Sequence, residues 1–462
     1  MRLSRLSIRA LRACIASILC LTLLTLSYPQ ERPKSFVPDV HRITLDNGIR
    51  LVVMEHHELP IINVRMWIKG AGAIYDPPGK EGLASLTADL LDEGTDKRSS
   101  QEIAEEMEFV GGELDSGAGY ETTGIALSVL VKDLELGLGL MSETLLKPSF
   151  PEAELSRLKR EAISSIIRSR DNPRRALSEA FRELVYGDHP YHRSVEGYPE
   201  AIESISREDV LGFYRSRYLP GNAIVVVVGN VRTDDIVRKI DGAFKGWTAK
   251  GPPLPEIPMF AGTAGVRFKG IDRKISQAYI VLGRPGITRS SPDYNAVEVM
   301  NYIFGGGGFS SRLTLNIRSR QGLVYNVGSD FSSRRFGGIF TVSLETKNES
   351  AEQAIESLLA EIKRMRDELV SEEELKDAKS FFLGSLALGQ ETIGQLSGLI
   401  MNGEYNNLPD KYWEKDLEEI RNLTAEDISR AAKKYLDVGS YALVVVADLD
   451  KAKLPPYGGG KP

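Results

Sequence analysis

The sequence predicts an α+β protein made of two homologous α/β sandwich domains, each a largely antiparallel sheet covered by helices, joined by a Pro-rich linker. Three observations predict it. Strand patterns open each half and helical patterns follow, the ordering of layered α+β folds. A passage near residue 202 is written again near residue 420, and a run of prolines lies between the two copies. With 462 residues, 42% hydrophobic and 26% charged, the chain is long enough for two or three folded domains with sizeable cores. Its composition is neither disordered nor fibrous.

In "ITLDNGIRLVVMEH" two short strands flank the turn Asp46-Asn47-Gly48, and "INVRMWIKG" alternates as a third. Helical periodicity follows around 82–92, 99–109, 132–144, 151–169 and 174–184, interrupted by a strand-rich stretch at 112–130. Ser206 and Asp209 predict a capping box, with Asp in place of the usual Glu, for the helix in "SREDVLGFYRSRYL". Pro220-Gly221 ends that helix, and "NAIVVVVGNV" reads as a buried strand from its β-branched run.

The passage "IESISREDVLGFYRSRYLPGNAIVVVVGNV" at 202–231 is echoed by "IRNLTAEDISRAAKKYLDVGSYALVVVADL" at 420–449. Cap, acidic first turn, Tyr-Leu ending and β-branched strand recur at a spacing that means a duplicated domain rather than a solenoid. The Pro-rich "GPPLPEIP" at 251–258 reads as an extended, exposed connector. The expected organisation is therefore a first half at 38–250, the connector, a second half at 259–455, and a frayed tail at 456–462.

Residues 1–30 stand apart. Arg2, Arg5, Arg9 and Arg12 precede the apolar run "ACIASILCLTLLTL", the plan of a cleaved secretory signal peptide. The rival reading is a retained anchor that associates the chain with a membrane. Either predicts an exported protein, in a bacterial periplasm or anchored and facing outward. Both cysteines, Cys14 and Cys20, fall in this segment, so the exported body has no disulfide to rely on. Losing its four arginines takes the formal charge from −6 to −10. Such a body has no basic surplus for phosphates, which argues against nucleic acid as a partner.

On the helix around 82–92, Leu83, Leu86, Leu90 and Leu91 define a buried face, with Ser85, Ala88 and Asp89 on a neighbouring one. A zinc site at those spacings wants two imidazoles one turn apart and a carboxylate to take a proton from metal-bound water. The positions offer a hydroxyl, a methyl and one carboxylate. The run from Asn47 through "GLASLTADLLDEGT" nevertheless resembles the N-terminal half of the pitrilysin/insulinase/mitochondrial processing peptidase family, whose inverted zinc motif is His-x-x-Glu-His. Laid on that pattern, Ser85 stands at the first histidine, Ala88 at the catalytic glutamate and Asp89 at the second histidine. The third ligand, a glutamate on a downstream helix, falls at Ser164, Ser165 or Ile166 in "ELSRLKREAISSIIRSRDNP", and Glu161 is about a turn away. The resemblance implies a member without the zinc-binding motif and without a metal of its own.

Other metal readings are weak. His56 and His57 would point opposite ways on a strand, and His189-x-x-His192 sits in a Pro- and Gly-containing loop without a carboxylate set; the fifth histidine is His41. Gly305 to Gly308 lack the Gly-Lys-Ser/Thr of a phosphate loop. A tight turn entering a helix at Ser310 or Ser311 is expected there, with backbone N–H groups of Gly306, Gly307 and Gly308 open to a peptide. Arg318 and Tyr325 resemble the family's Arg-x6-Tyr pair, which reaches the substrate backbone and reacting carbonyl from the C-terminal half. An Arg brings five donors, and a Tyr hydroxyl can serve a developing oxyanion. The plain structural alternative is a helix-terminal Arg in an ion pair and a Tyr packed as a sheet aromatic.

The family works as paired units around a cavity, and in heterodimers one subunit holds zinc while the other completes the chamber. The resemblance thus implies a non-catalytic subunit that binds peptide through Arg318 and Tyr325, beside a homologous zinc-bearing peptidase subunit. Two alternatives stay open: an active zinc metalloendopeptidase with an atypical site using Asp89, and a non-enzymatic assembly or binding protein built on the same fold.

Overall fold

The computed structural model describes residues 39–262 and 264–457. The signal-peptide reading, both cysteines and the last five residues lie outside these. Among the described residues no helix is long and apolar enough to cross a membrane.

Among the described residues eleven strands form two sheets. The first holds β1 (Val40–Thr44), β2 (Arg50–Glu55), β3 (Ile61–Lys69), β4 (Glu113–Ala118), β5 (Thr122–Leu130) and β6 (Ala223–Gly229), in the order β1-β2-β6-β3-β5-β4. The second holds β7 (Val266–Asp272), β8 (Gln277–Pro285), β9 (Val324–Ser332), β10 (Ile339–Lys347) and β11 (Tyr441–Ala447), in the order β7-β11-β8-β10-β9. Each sheet has one parallel pair, with Arg50 opposite Ile224 in the first and Val266 opposite Tyr441 in the second, and is otherwise antiparallel. Mapping β2-β6-β3-β5-β4 onto β7-β11-β8-β10-β9 superposes the two topologies, so the duplicated ending read from the sequence extends to the whole sheet.

Local signals place the elements. Ser206 Oγ accepts from the Asp209 N–H (3.2 Å) while Asp209 accepts from the Ser206 N–H (2.8 Å). Thr424 and Asp427 repeat this box at the second copy. The helices observed at Ser100–Phe109, Leu134–Leu146, Glu152–Ser169 and Pro173–Tyr186 start within two residues of their periodic stretches. Own helices cover one face of each sheet, burying Val64, Met66, Leu127 and Val225 in the first half and Ile280, Leu282, Phe340 and Leu443 in the second.

The other faces are covered by exchange. The helix Pro173–Tyr186, from the first half, lays Leu177, Ala180, Phe181 and Val185 on Val281, Ile339, Val444 and Val446 of the second sheet. The helix Ile393–Tyr405, from the second half, lies on β3 and β6 of the first. There Ser397 Oγ donates to Asn63 Oδ1 (2.7 Å), and the Tyr405 ring meets Trp67 edge-on at 5.3 Å. Coverage on both faces is why β6 and β11 are apolar throughout and buried at every residue. Glycine makes room: a Cβ at Gly283 would stand 2.3 Å from Phe181 Cζ and 2.7 Å from the Phe340 carbonyl oxygen. The boundary in the chain at 251–258 is therefore not a boundary in packing, and residues 39 to 457 belong to one compact unit.

The Pro-rich stretch has no regular structure, but Leu254 seats against Gly70, whose Cβ would lie 2.1 Å from Leu254 Cδ2. Tyr457, in the stretch expected to fray, packs its ring 5.3 Å from Phe268.

Because each sheet relies on a helix from the other half, Phe181→Ala should lower stability by about 3–4 kcal/mol while leaving one cooperative transition. Urea unfolding followed by tryptophan fluorescence and far-UV circular dichroism checks this; two separated transitions would contradict it.

Candidate functional site

The helix Leu83–Asp89 is shorter than its periodicity, which ran to 92. Gly82 enters it with φ 101°, a left-handed backbone that glycine adopts without a Cβ clash. The buried Asp76 carboxylate reaches the helix start, its Oδ2 accepting from the Gly82 N–H (2.9 Å) and its Oδ1 from the Ala84 N–H (2.8 Å). Burial pushes this carboxyl up to about 7, against the pull of those two bonds and of Arg193. A cap six residues ahead of Gly82 was not visible in the sequence, since it depends on the chain folding back.

Ser85 and Asp89 sit one turn apart and half-buried. Ala88, expected on the same face, is instead fully buried, and Ser116 Oγ of β4 donates to its carbonyl (2.8 Å). A buried methyl stands where a proton-accepting carboxylate would have to face water. Burial raises the Asp89 carboxyl to about 6, with Asp92 and Glu93 adding to the shift, and burial raises Asp92 to about 6 as well. On the neighbouring helix Glu152–Ser169, Ser164 and Ser165 are exposed and Ile166 is buried. Glu161 is held by Arg157 (3.0 Å), which also takes Glu154 (2.6 Å) and Glu93. A hydroxyl, a buried methyl and a single carboxylate, with no ligand from the neighbouring helix, do not fit a zinc ion. Among the described residues no group of three or more His, Cys, Asp or Glu could hold a metal.

Three of the five histidines, His57, His189 and His192, hold hydrogen bonds of their own. His56 and His57 lie beyond the end of β2 rather than on it, with His57 Nδ1 2.8 Å from Asn230 Oδ1. His189 Nε2 meets the Pro258 carbonyl (2.9 Å), and His192 Nδ1 meets the His189 carbonyl (2.9 Å). His189 Nδ1 accepts from the Tyr191 N–H (3.2 Å), so the ring nitrogens of the His-x-x-His pair that have partners all face the main chain.

In the second half, the glycine run is not a simple turn into a helix. It closes a π-helical turn at Tyr302–Gly306, with the Gly307 N–H donating five residues back to the Tyr302 carbonyl (2.8 Å). A 3-10 turn at Gly308–Ser310 follows, then a second π-helical stretch at Thr314–Arg320. Widened turns of this kind recur at functional sites. A Cβ on Gly305 would lie 2.5 Å from Ser329 Oγ of β9, and one on Gly307 would lie 2.7 Å from the Tyr302 carbonyl oxygen. The Gly307 N–H is thus already used, while Gly306 and Gly308 are exposed.

Arg318 is exposed in the second π-helical stretch and stacks over Phe309 at 5.1 Å. Tyr325, second residue of β9, is 49% exposed. Gly322, with φ 64°, turns the chain between them, and no hydrogen bond joins the pair. Two exposed aromatics not singled out from the sequence lie in this half: Phe309, 77% exposed beneath Arg318, and Phe381, stacked at 4.4 Å on Tyr302 of the first π-helical turn. Nearby Arg312 is buried and bound to Glu374 through two bonds (2.6 and 2.9 Å), which fixes the turn that presents Arg318.

Comparison with known proteins bears on this geometry. Residues 51–198 match the family model for insulinase (peptidase family M16), and residues 204–382 match the model described as the peptidase M16 inactive domain. An uncharacterized zinc protease of Mycobacterium leprae is 29% identical over 427 residues, 90% of this chain and 94% of that protein. One of Streptomyces coelicolor is 27% identical over 402 residues, 86% and 87% of the two chains. Among solved structures, the peptidase M16 inactive domain from Pseudomonas fluorescens is similar with a TM-score of 0.84 at 28% identity, covering 88% of this chain and 98% of that one. A protease from Helicobacter pylori shares the fold, with a TM-score of 0.81 at 20% identity, covering 89% and 100%.

Asp89 offers a test of the site's electrostatics. Folding lifts its carboxyl from 3.8 to about 6, so its contribution to stability is fully present below about pH 3.8 and is lost as pH rises through about 6. Asp89→Asn should be nearly neutral at about pH 4 and stabilising by roughly 1–2 kcal/mol at about pH 8. Denaturant midpoints at both pH values check this, and a loss of stability at the higher one would contradict it.

Proposed function

The chain belongs to the M16 (pitrilysin/insulinase) peptidase family, and we propose that it is the non-catalytic subunit of an exported heterodimeric zinc metallopeptidase. In this reading it completes the chamber around the substrate, and a homologous subunit supplies zinc, general base and nucleophilic water. The observation that carries it is the contrast between the halves. The first-half helix presents Ser85, buried Ala88 and Asp89, whereas the second half keeps Arg318 and Tyr325 exposed beside a glycine turn. A guanidinium and a phenol held at a surface are donors suited to a peptide carbonyl and to the oxyanion that develops from it. Phe309 and Phe381 add apolar surface for substrate side chains. Export rests on the N-terminal segment with its four arginines and apolar run.

Purification of the chain from its native source should bring with it a relative containing His-x-x-Glu-His, and the pair should cleave peptides. In that complex Arg318→Ala is expected to lower turnover roughly a hundredfold with zinc content unchanged. Unchanged turnover removes the role assigned to Arg318. Stoichiometric zinc and peptidase activity in this chain alone would overturn the whole reading.

A further inference from the structure

The duplication places the ends of β2 and β6 side by side in the first half, and those of β7 and β11 in the second. At both places a carboxylate ending the first strand caps the segment after the second. Glu55 accepts from the Thr233 N–H and hydroxyl (2.7 Å each), and Asp272 accepts from the Leu449 N–H (3.0 Å). Two residues on, the halves diverge. In the second half Lys274 bridges the crevice from its rim, bonding Asp448 (3.1 Å) and Asp450 (2.8 Å). The buried Asn348 closes it, donating to the Ile275 carbonyl (2.7 Å) and accepting from the Asp448 N–H (3.2 Å).

In the first half the matching positions are His57, whose ring nitrogens meet Asn230 Oδ1 (2.8 Å) and Glu55 Oε2 (3.3 Å), and Val131, whose side chain has no polar group to bridge the gap as Asn348 does. Val131 is 38% exposed, and a cavity of about 360 Å³ opens between it and the helix Thr233–Phe244. Its floor is apolar, with Ile62 and Ile236 fully buried and Leu134 nearly so. Its rim carries His57, Arg232 and Lys239. Lys239 is paired with Glu135, and the rim acid Asp235 is held by Arg238. Arg232 is exposed, and its guanidinium has no hydrogen bond or ion pair among the described residues. The crevice beyond the carboxyl ends of adjacent parallel strands is where open sheets take ligands, and the volume lies within the range of small-molecule sites.

We propose that this cavity binds a small carboxylate with an apolar tail, the tail on Ile62, Leu134 and Ile236 and the carboxylate at the Arg232 guanidinium. The planar guanidinium matches a carboxylate in geometry. A single negative charge suits the site better than a phosphate dianion, because Glu55, Glu135 and Asp235 stand close by. The site is separate from Arg318, Tyr325 and the degenerate helix, so it does not depend on the peptidase reading.

Isothermal titration of the full chain with hexanoate, octanoate and decanoate, and with octanol as the uncharged control, tests this. At least one acid should bind saturably at one site, with octanol about tenfold weaker or more. Arg232→Ser should weaken the acid by about tenfold without changing octanol, and Val131→Trp should abolish both by filling the cavity. Circular dichroism verifies that both variants fold. No saturable binding of any of the acids, equal affinity for octanol, or undiminished binding by the folded Val131→Trp protein would each overturn the proposal.

Discussion

The reciprocal exchange of two helices is the constraint on which the molecule depends. Pro173–Tyr186 seals the second sheet and Ile393–Tyr405 seals the first, so neither half can bury its β-branched strands without the other. A knot of polar and aromatic groups locks the exchange in register. The Glu121 carboxylate, between β4 and β5, accepts from the hydroxyls of Tyr191 and Tyr405 and from the Arg335 N–H (3.2 Å). Burial pushes both phenols above their usual range, so they stay as donors. Arg334 lies 3.9 Å over the Tyr120 ring and 5.0 Å over Tyr191. Arg42 and Arg50 then hold Glu404 at the end of the exchanged helix (2.6 and 2.5 Å). Glu404, the buried charge at this seam, needs its arginine partners from the first half, which ties the two halves together.

That rigidity sets what the functional surfaces can do. The first half has spent its motif helix on the core: Ala88 is buried, Asp76 caps the start, and Arg157 gathers the nearby glutamates. The second half spends its glycines on close approach to β9 and Tyr302, and two widened turns then bring Arg318 out beside Phe309. Duplicated architecture thus supports different surfaces. The same divergence recurs at the strand ends, where Lys274 and Asn348 bridge one crevice while Val131 leaves its counterpart open.

Much of this was legible in the chain because it is local. Capping boxes at Ser206 and Thr424, the turn at Asp46-Asn47-Gly48 and the β-branched runs of β6 and β11 depend on neighbours a few residues away. The substitution of the motif positions by Ser85, Ala88 and Asp89 was visible for the same reason. The π-helical turns were not, because glycine permits several backbone paths and the choice among them rests on contact with Asn301, Tyr302 and Ser329.

By itself, then, the sequence determined a duplicated α+β fold, its main elements, its family resemblance and the lack of imidazoles where zinc would sit, all of which follow from residue type and spacing. Only the tertiary structure decided which sheet each helix covers, that Ala88 turns inward, that Asp76 and Glu121 become a cap and a clasp, and which crevice stays open. Those outcomes depend on groups distant in sequence competing for the same buried space, and no local pattern encodes that competition.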